Sequence, residues 1–180
     1  GDVENRIYGT LHYGKVWPDN EHSGQGATLP AGINPADDFH TYAIEWEEGE
    51  IRWYVDNIHY STQTQDGWYS QYEVEKGVLG NAKGAAPFDE KFHIMLNLAV
   101  GGSWAAKANA GGIDSGSFPK TMLIDSVKVY RCSKDRWKGK GCASRSPEAV
   151  HVKGHKAPAI LAADDSYADG PVLDIFSDTL

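Results

Sequence analysis

From Thr41 to Asp56 the chain alternates with a period of two. Tyr42, Ile44 and Trp46 fall on one side, and Ala43, Glu45 and Glu47 on the other. After Glu48-Gly49 the alternation resumes, with Ile51, Trp53 and Val55 set against Arg52, Tyr54 and Asp56. A period of two marks a strand whose two faces meet different surroundings, and Glu-Gly between two such runs predicts a β-hairpin. Residues 7–13, 59–64, 92–100 and 122–131 carry strand patterning as well. The pattern over 69–77 predicts a short helix or turn. Residues 19–38 and 101–119, rich in Gly, Pro, Asn and Asp, read as long connections, the parts of a β scaffold that often carry binding function. No apolar stripe at helical spacing is sustained anywhere, and no internal repeat occurs.

Composition agrees with an all-β chain. Gly accounts for 20 of 180 residues and aromatics for 11%, including six Trp and nine Tyr, which suits many turns and aromatic surface. The length fits one domain, or one domain with a tail. Beyond residue 132 the character changes: residues 134–140 are basic and turn-prone, and 144–167 are rich in Ala, Ser, Asp and Pro without periodicity. We therefore expect a domain over 1–132, a loop and linker or extended tail over 133–169, and the start of an additional module over 170–180.

Charge excludes some partners. Seventeen Lys and Arg stand against 25 Asp and Glu, a formal net charge of −8, with no cationic stripe of the kind phosphate binding needs, so nucleic acid is not expected. No apolar run approaches the roughly 18 residues of a membrane span, and no leader-like segment opens the chain. Cys132 and Cys142 can be a local disulfide or two free thiols. The disulfide would suit a secreted protein.

On the 92–100 strand, Ile94, Leu96, Leu98 and Val100 share one face, and His93, Met95, Asn97 and Ala99 the other. On 7–13, Ile7, Leu11 and Tyr13 oppose Tyr8, Thr10 and His12. If the polar faces lie on one sheet they make a floor bearing His12 and Asn97, walled by Trp17, Trp68 and Trp104. Aromatic faces with amide and imidazole groups suit a sugar, whose ring has an apolar face and a rim of hydroxyls. Trp46 and Trp53, in phase with aliphatic residues, read as core. Glu45, Glu47, Glu48 and Glu50 form the one dense acidic cluster. Glu45 and Glu47 stand about 7 Å apart by strand rise, but their place at a hairpin tip reads as a solvated charge run. Asp125, in the 122–131 strand, reads either as a buried acceptor for backbone N–H groups or as a ligand for a hard cation. No zinc spacing, nucleophile elbow, P-loop or dinucleotide fingerprint appears.

Ile7-Tyr-Gly-Thr-Leu-His-Tyr-Gly14, Phe39-His-Thr-Tyr-Ala-Ile-Glu-Trp46, Ile51-Arg-Trp-Tyr-Val-Asp56, the run from Pro87 to Trp104, and Met122-Leu-Ile-Asp-Ser-Val-Lys-Val-Tyr130 together resemble glycoside hydrolase family 16, in the style of its bacterial endo-β-1,3-glucanases (laminarinases). The resemblance implies a β-jelly-roll sandwich, an open cleft for a β-glucan chain, and a retaining mechanism that needs no catalytic cofactor. It implies that His12, Trp17, Asn97 and Trp104 contact substrate, that Asp125 helps hold a structural Ca²⁺, and that Cys132 and Cys142 form a disulfide in a secreted (extracellular or periplasmic) protein. The family's catalytic pattern Glu-x-Asp-x-x-Glu occurs nowhere in the 180 residues, so no residue here is assigned a catalytic role. The sandwich is expected to lack its N-terminal strands, leaving edges for a complementing N-terminal fragment or for self-association. A non-catalytic β-glucan-binding sandwich is the alternative. Lichenases, agarases, carrageenases and transglycosylases would share the fold.

Overall fold

The first strand, β1 (Arg6–Tyr13), buries Gly9, Leu11 and Tyr13 and turns Tyr8, Thr10 and His12 outward. It pairs antiparallel with β2 (Glu21–Thr28), from Arg6 opposite Thr28 to Tyr13 opposite Glu21. A computed structural model describes residues 3–103 and 112–160 of the chain. β2 contains no run of β-branched or aromatic residues and was expected to lie in a connection. Its partner makes it a strand: a Cβ at Gly24 would sit 2.1 Å from the Gly9 carbonyl oxygen, so the absence of a side chain allows the approach.

The expected hairpin forms β3 (Tyr42–Glu47) and β4 (Glu50–Val55), with Gly49 at positive φ in the tip. Asp56 and Asn57, both left-handed, turn the chain into β5 (Ile58–Thr64), as a two-residue hairpin requires. β6 (Gln71–Glu75) and β7 (Val78–Asn81) form a second small hairpin. This replaces the short helix or turn expected over 69–77: Tyr72 and Val74 alternate with Gln71, Glu73 and Glu75, and Gly77 supplies a positive-φ turn residue. Gly14 donates to the Tyr69 carbonyl and accepts from Gln71 N, tying the end of β1 to this hairpin.

Residues 144–155, read as linker or tail, instead lie along the main sheet. Val150–Val152 form β8, parallel to β5, giving the order β3-β4-β5-β8. No local periodicity announces a three-residue strand; the ladder of β5 imposes it. The regular elements described over their whole length are thus eight strands and two single-turn 3₁₀ segments. The all-β expectation holds.

Leu11, Tyr13, Ile51, Trp53, Trp68, Tyr69, Ala85 and Phe88 form the core. Gly9 lets two sheets meet there: a Cβ would stand 2.5 Å from Trp53 Cδ1 and 2.7 Å from the Tyr60 hydroxyl. Trp68, considered as a cleft wall, is core; its indole donates to the Ala85 carbonyl at 3.0 Å and meets Phe88 edge-on. Trp46, expected in the core, is exposed, with its indole N–H on the Phe88 carbonyl. The expected strands 92–100 and 122–131 are not strands. Neither is paired into a sheet among the described residues, and Ile94, Leu96 and Leu98 on one face of the first and Met95 on the other are exposed. Alternation without a ladder buries neither face.

Candidate functional site

The outward face of β1–β2 forms a polar, aromatic ribbon. Register places Tyr8 opposite Gly26, Thr10 opposite Gly24 and His12 opposite His22. The His12 and His22 rings stack with centroids 5.7 Å apart. Asn20 approaches His12 Nδ1 at 3.4 Å, and the Arg6 guanidinium lies 5.1 Å from the Tyr8 ring centre, within cation–π range. At the strand rise, Tyr8 to His12 spans about 13 Å, longer than one sugar ring. Trp17, 81% exposed, stands in the loop between β1 and β2. Opposite Tyr8 and Thr10 the space beside the glycines is filled by Arg6 and by the β1 backbone: a Cβ at Gly26 would stand 2.4 Å from Arg6 Nε, and one at Gly24 2.1 Å from the Gly9 carbonyl oxygen.

The sequence-derived site residues therefore separate. His12 and Trp17 belong to the β1–β2 hairpin. Asn97 is exposed in the 92–100 segment, which forms no strand, and among the described residues no hydrogen bond or ring contact joins it to His12. Trp104 lies outside the described residues. His22 was missed, because β2 carries no strand signal of its own; only the register with His12 reveals it.

Asp125 is exposed. Among the described residues no group of three or more His, Cys, Asp or Glu side chains is placed to hold an ion. Ca²⁺ takes six to eight oxygen ligands, so around Asp125 they would have to be backbone carbonyls and water; the side chains present do not build a cage. Cys132 and Cys142 are disulfide-bonded, with Cα atoms 5.6 Å apart.

The acidic cluster is not a solvated run. Arg52, 1% exposed, donates to Glu45 at 3.1 Å, Glu47 at 3.0 Å and Glu50 at 2.7 Å. Arg145 adds bonds to Glu47 at 3.0 Å and Glu50 at 2.8 Å. Burial works against the charge on Arg52, but the carboxylates outweigh it and hold the guanidinium protonated. Burial likewise pushes the Glu45 carboxyl up, yet hydrogen bonds from Tyr54, Ser144 and Arg52 prevail and hold it below the usual range. The Tyr54 hydroxyl, between Glu45 and the Ser144 carbonyl, is raised by burial and by Glu45. A glycosidase general acid needs a raised pKa and a free proton. Glu45 is shifted the other way and Glu47 and Glu50 are bound by two arginines, so this cluster fastens residues 144–145 to the sheet.

The exposed ribbon presents aromatic, imidazole and hydroxyl groups but carries no carboxylate pair. The model for Glycosyl hydrolases family 16 matches residues 12–114, and the chain belongs to that family, whose all-β jelly-roll sandwich accommodates these sheets. Among its relatives, Glucan endo-1,3-beta-glucosidase A1 of Niallia circulans is 37% identical over 131 residues, 73% of this chain and 18% of that protein. Beta-glucanase of Rhodothermus marinus is 40% identical over 95 residues, 52% of this chain and 29% of that protein. Beta-1,3-glucan-binding protein of Penaeus monodon is 35% identical over 109 residues, 57% and 30% of the two chains. The chain spans less than a third of the length of each of these three. No solved structure matches it.

Proposed function

We propose that this chain is part of a secreted endo-β-1,3-glucanase that cleaves internal bonds of laminarin-type glucans with retention of configuration, and that the outer face of β1–β2 grips the glucan. The observation that carries the reading is the exposed, in-register ribbon of Tyr8, Thr10, His12 and His22, with Trp17 beside it. Retention needs two carboxyl groups roughly 5–5.5 Å apart. The Glu45 cluster is occupied by Arg52 and Arg145, so the pair would come from a segment bearing Glu-x-Asp-x-x-Glu outside these 180 residues. The disulfide supports an oxidising compartment. Among the described residues no helix is long and apolar enough to cross a membrane.

The test is titration of the chain with laminarin, followed by tryptophan fluorescence, beside a reducing-sugar assay. We expect binding without hydrolysis, weakened about tenfold in His12→Ala and in Trp17→Ala, the scale of one good ring contact. Unchanged binding in both variants would sink the assignment. The relative named as a β-1,3-glucan-binding protein and the missing motif favour a second reading, a binding sandwich without chemistry. Sugar release after adding a polypeptide that carries the carboxylate strand decides for the enzyme.

Two further elements belong to this reading. The exposed apolar segments 92–100 and 122–131 would be covered by such a complementing polypeptide or by a second copy, which sedimentation of the chain alone would detect as association. A structural Ca²⁺ with Asp125 among its ligands would raise the melting temperature on Ca²⁺ addition, an increment lost in Asp125→Asn.

A further inference from the structure

Among the described residues the most exposed large apolar side chain is Trp137, 96% exposed. It sits inside the Cys132–Cys142 loop, Cys-Ser-Lys-Asp-Arg-Trp-Lys-Gly-Lys-Gly-Cys, which holds four cations against one carboxylate in a chain of net charge −8. An indole left in water forgoes the gain of burial, and a ring held in one shape by its loop can be covered by a ligand with little further loss of conformational freedom. The loop is held in several ways. The disulfide closes it. Asp135 turns its carboxylate inward, accepting from the backbone N–H groups of Trp137 at 3.0 Å and Lys138 at 2.9 Å, and Gly139 N donates to the Asp135 carbonyl at 3.0 Å. Glu48 N donates to the Lys138 carbonyl at 2.7 Å, anchoring the loop to the β3–β4 hairpin.

The single acid of the loop is thus engaged with its own backbone. Lys138 and Lys140 share Glu48 at 3.0 and 3.2 Å, while Lys134 and Arg136 make no ion pair among the described residues. We infer that the Cys132–Cys142 loop is a second carbohydrate site, distinct from the β1–β2 ribbon, and that it takes an acidic polysaccharide whose sugar rings bear carboxylates. The indole face matches the apolar face of a sugar ring, and the surrounding ammonium and guanidinium groups match ring carboxylates. A lipid surface fits less well. Apart from the half-cystines, Trp137 is the one apolar residue between 132 and 142, and interfacial binding grows with the apolar area inserted.

The inference does not depend on the proposed hydrolysis, and its test separates the two. The full chain is titrated with polygalacturonate, with neutral laminarin, and with vesicles of 30% phosphatidylserine in phosphatidylcholine. The expected result is binding to polygalacturonate that falls with salt, weakens about tenfold in Trp137→Ala, and weakens again in Lys134→Ala/Arg136→Ala, with laminarin binding unchanged in these variants. Because all three side chains are exposed, the variants should melt as the parent does. Polygalacturonate binding that is equal in Trp137→Ala and the parent would overturn the site, since charge alone would then explain it. Capture by the vesicles without polygalacturonate binding would overturn it in favour of a membrane partner.

Discussion

Replacing Arg52 by Met removes the cation at the centre of the sheet-to-strap fastening while keeping most of the side-chain volume. Arg52 is 1% exposed and Glu47 7%, so the Glu47 carboxylate cannot simply rehydrate. Removing one partner of a buried ion pair costs about 3–5 kcal/mol. Arg145 still reaches Glu47 and Glu50, which places Arg52→Met near the lower bound, about 3 kcal/mol. For a chain of this size that is a drop of about 6–12 °C in melting temperature, read by tryptophan fluorescence. The pH dependence gives a second, independent reading. Glu45 lies below its ordinary value of 4.5, so its stabilising contribution is present above that pH and is lost as pH falls through the folded value. In Arg52→Met, Glu45 loses one of the hydrogen bonds that hold its carboxyl down, so less of that contribution remains to be lost in acid. The gap between parent and variant should therefore be widest at neutral pH and shrink below about pH 4.5. A loss under about 1 kcal/mol, the scale of an exposed pair, or a gap independent of pH, would refute the argument that this network is buried and ionised.

Other substitutions test the packing. Gly9→Ala forces a Cβ against Trp53 and Tyr60 and should cost about 2 kcal/mol in urea denaturation; a neutral effect would mean that the β1–Trp53 contact is looser than drawn. Ser61 is fully buried and its hydroxyl has no hydrogen-bond partner among the described residues, so Ser61→Ala should be neutral or stabilise by up to about 1 kcal/mol, and a clear loss on melting would reveal a partner there. Replacing both Cys132 and Cys142 by Ala should lower stability by at most about 3 kcal/mol. A reductant should reproduce the loss in the parent and leave the double variant unaffected.

Strands whose own alternation met a neighbouring strand were legible: β1, the β3–β4 hairpin and β5 all stand where the period of two put them. β2 and β8 were not, because each is held by its partner's ladder and, in β2, by glycines that a propensity argument counts against a strand. Residues 92–100 and 122–131 err the other way: side-chain alternation is a local property, whereas a ladder needs a second strand. The candidate site divides along the same line. His12 and Trp17 were found from local motifs, His22 only from register, and Asn97 was placed by a strand that did not form. The Glu45–Arg52 pairing was within reach of the hairpin alignment, but Arg145 and Ser144 arrive from about a hundred positions away, and no spacing rule could have exposed them.

The strap that begins at Ser144 also sets an order of events during synthesis. The Tyr13 hydroxyl meets His155 at 2.8 Å across 142 residues of chain, and Gly67 accepts from His155 N at 2.9 Å. At typical translation speeds the interval between making these two positions is on the order of ten seconds. Throughout that interval β1 to β5 must wait on the ribosome with Arg52 and its carboxylates uncovered and the edge of β5 unpaired. Contacts of such long range fold slowly, and open edges recruit other chains. The period of greatest aggregation risk for this protein thus falls before residue 155 is made, and a nascent chain arrested short of Ser144 should need a chaperone that one arrested beyond His155 does not.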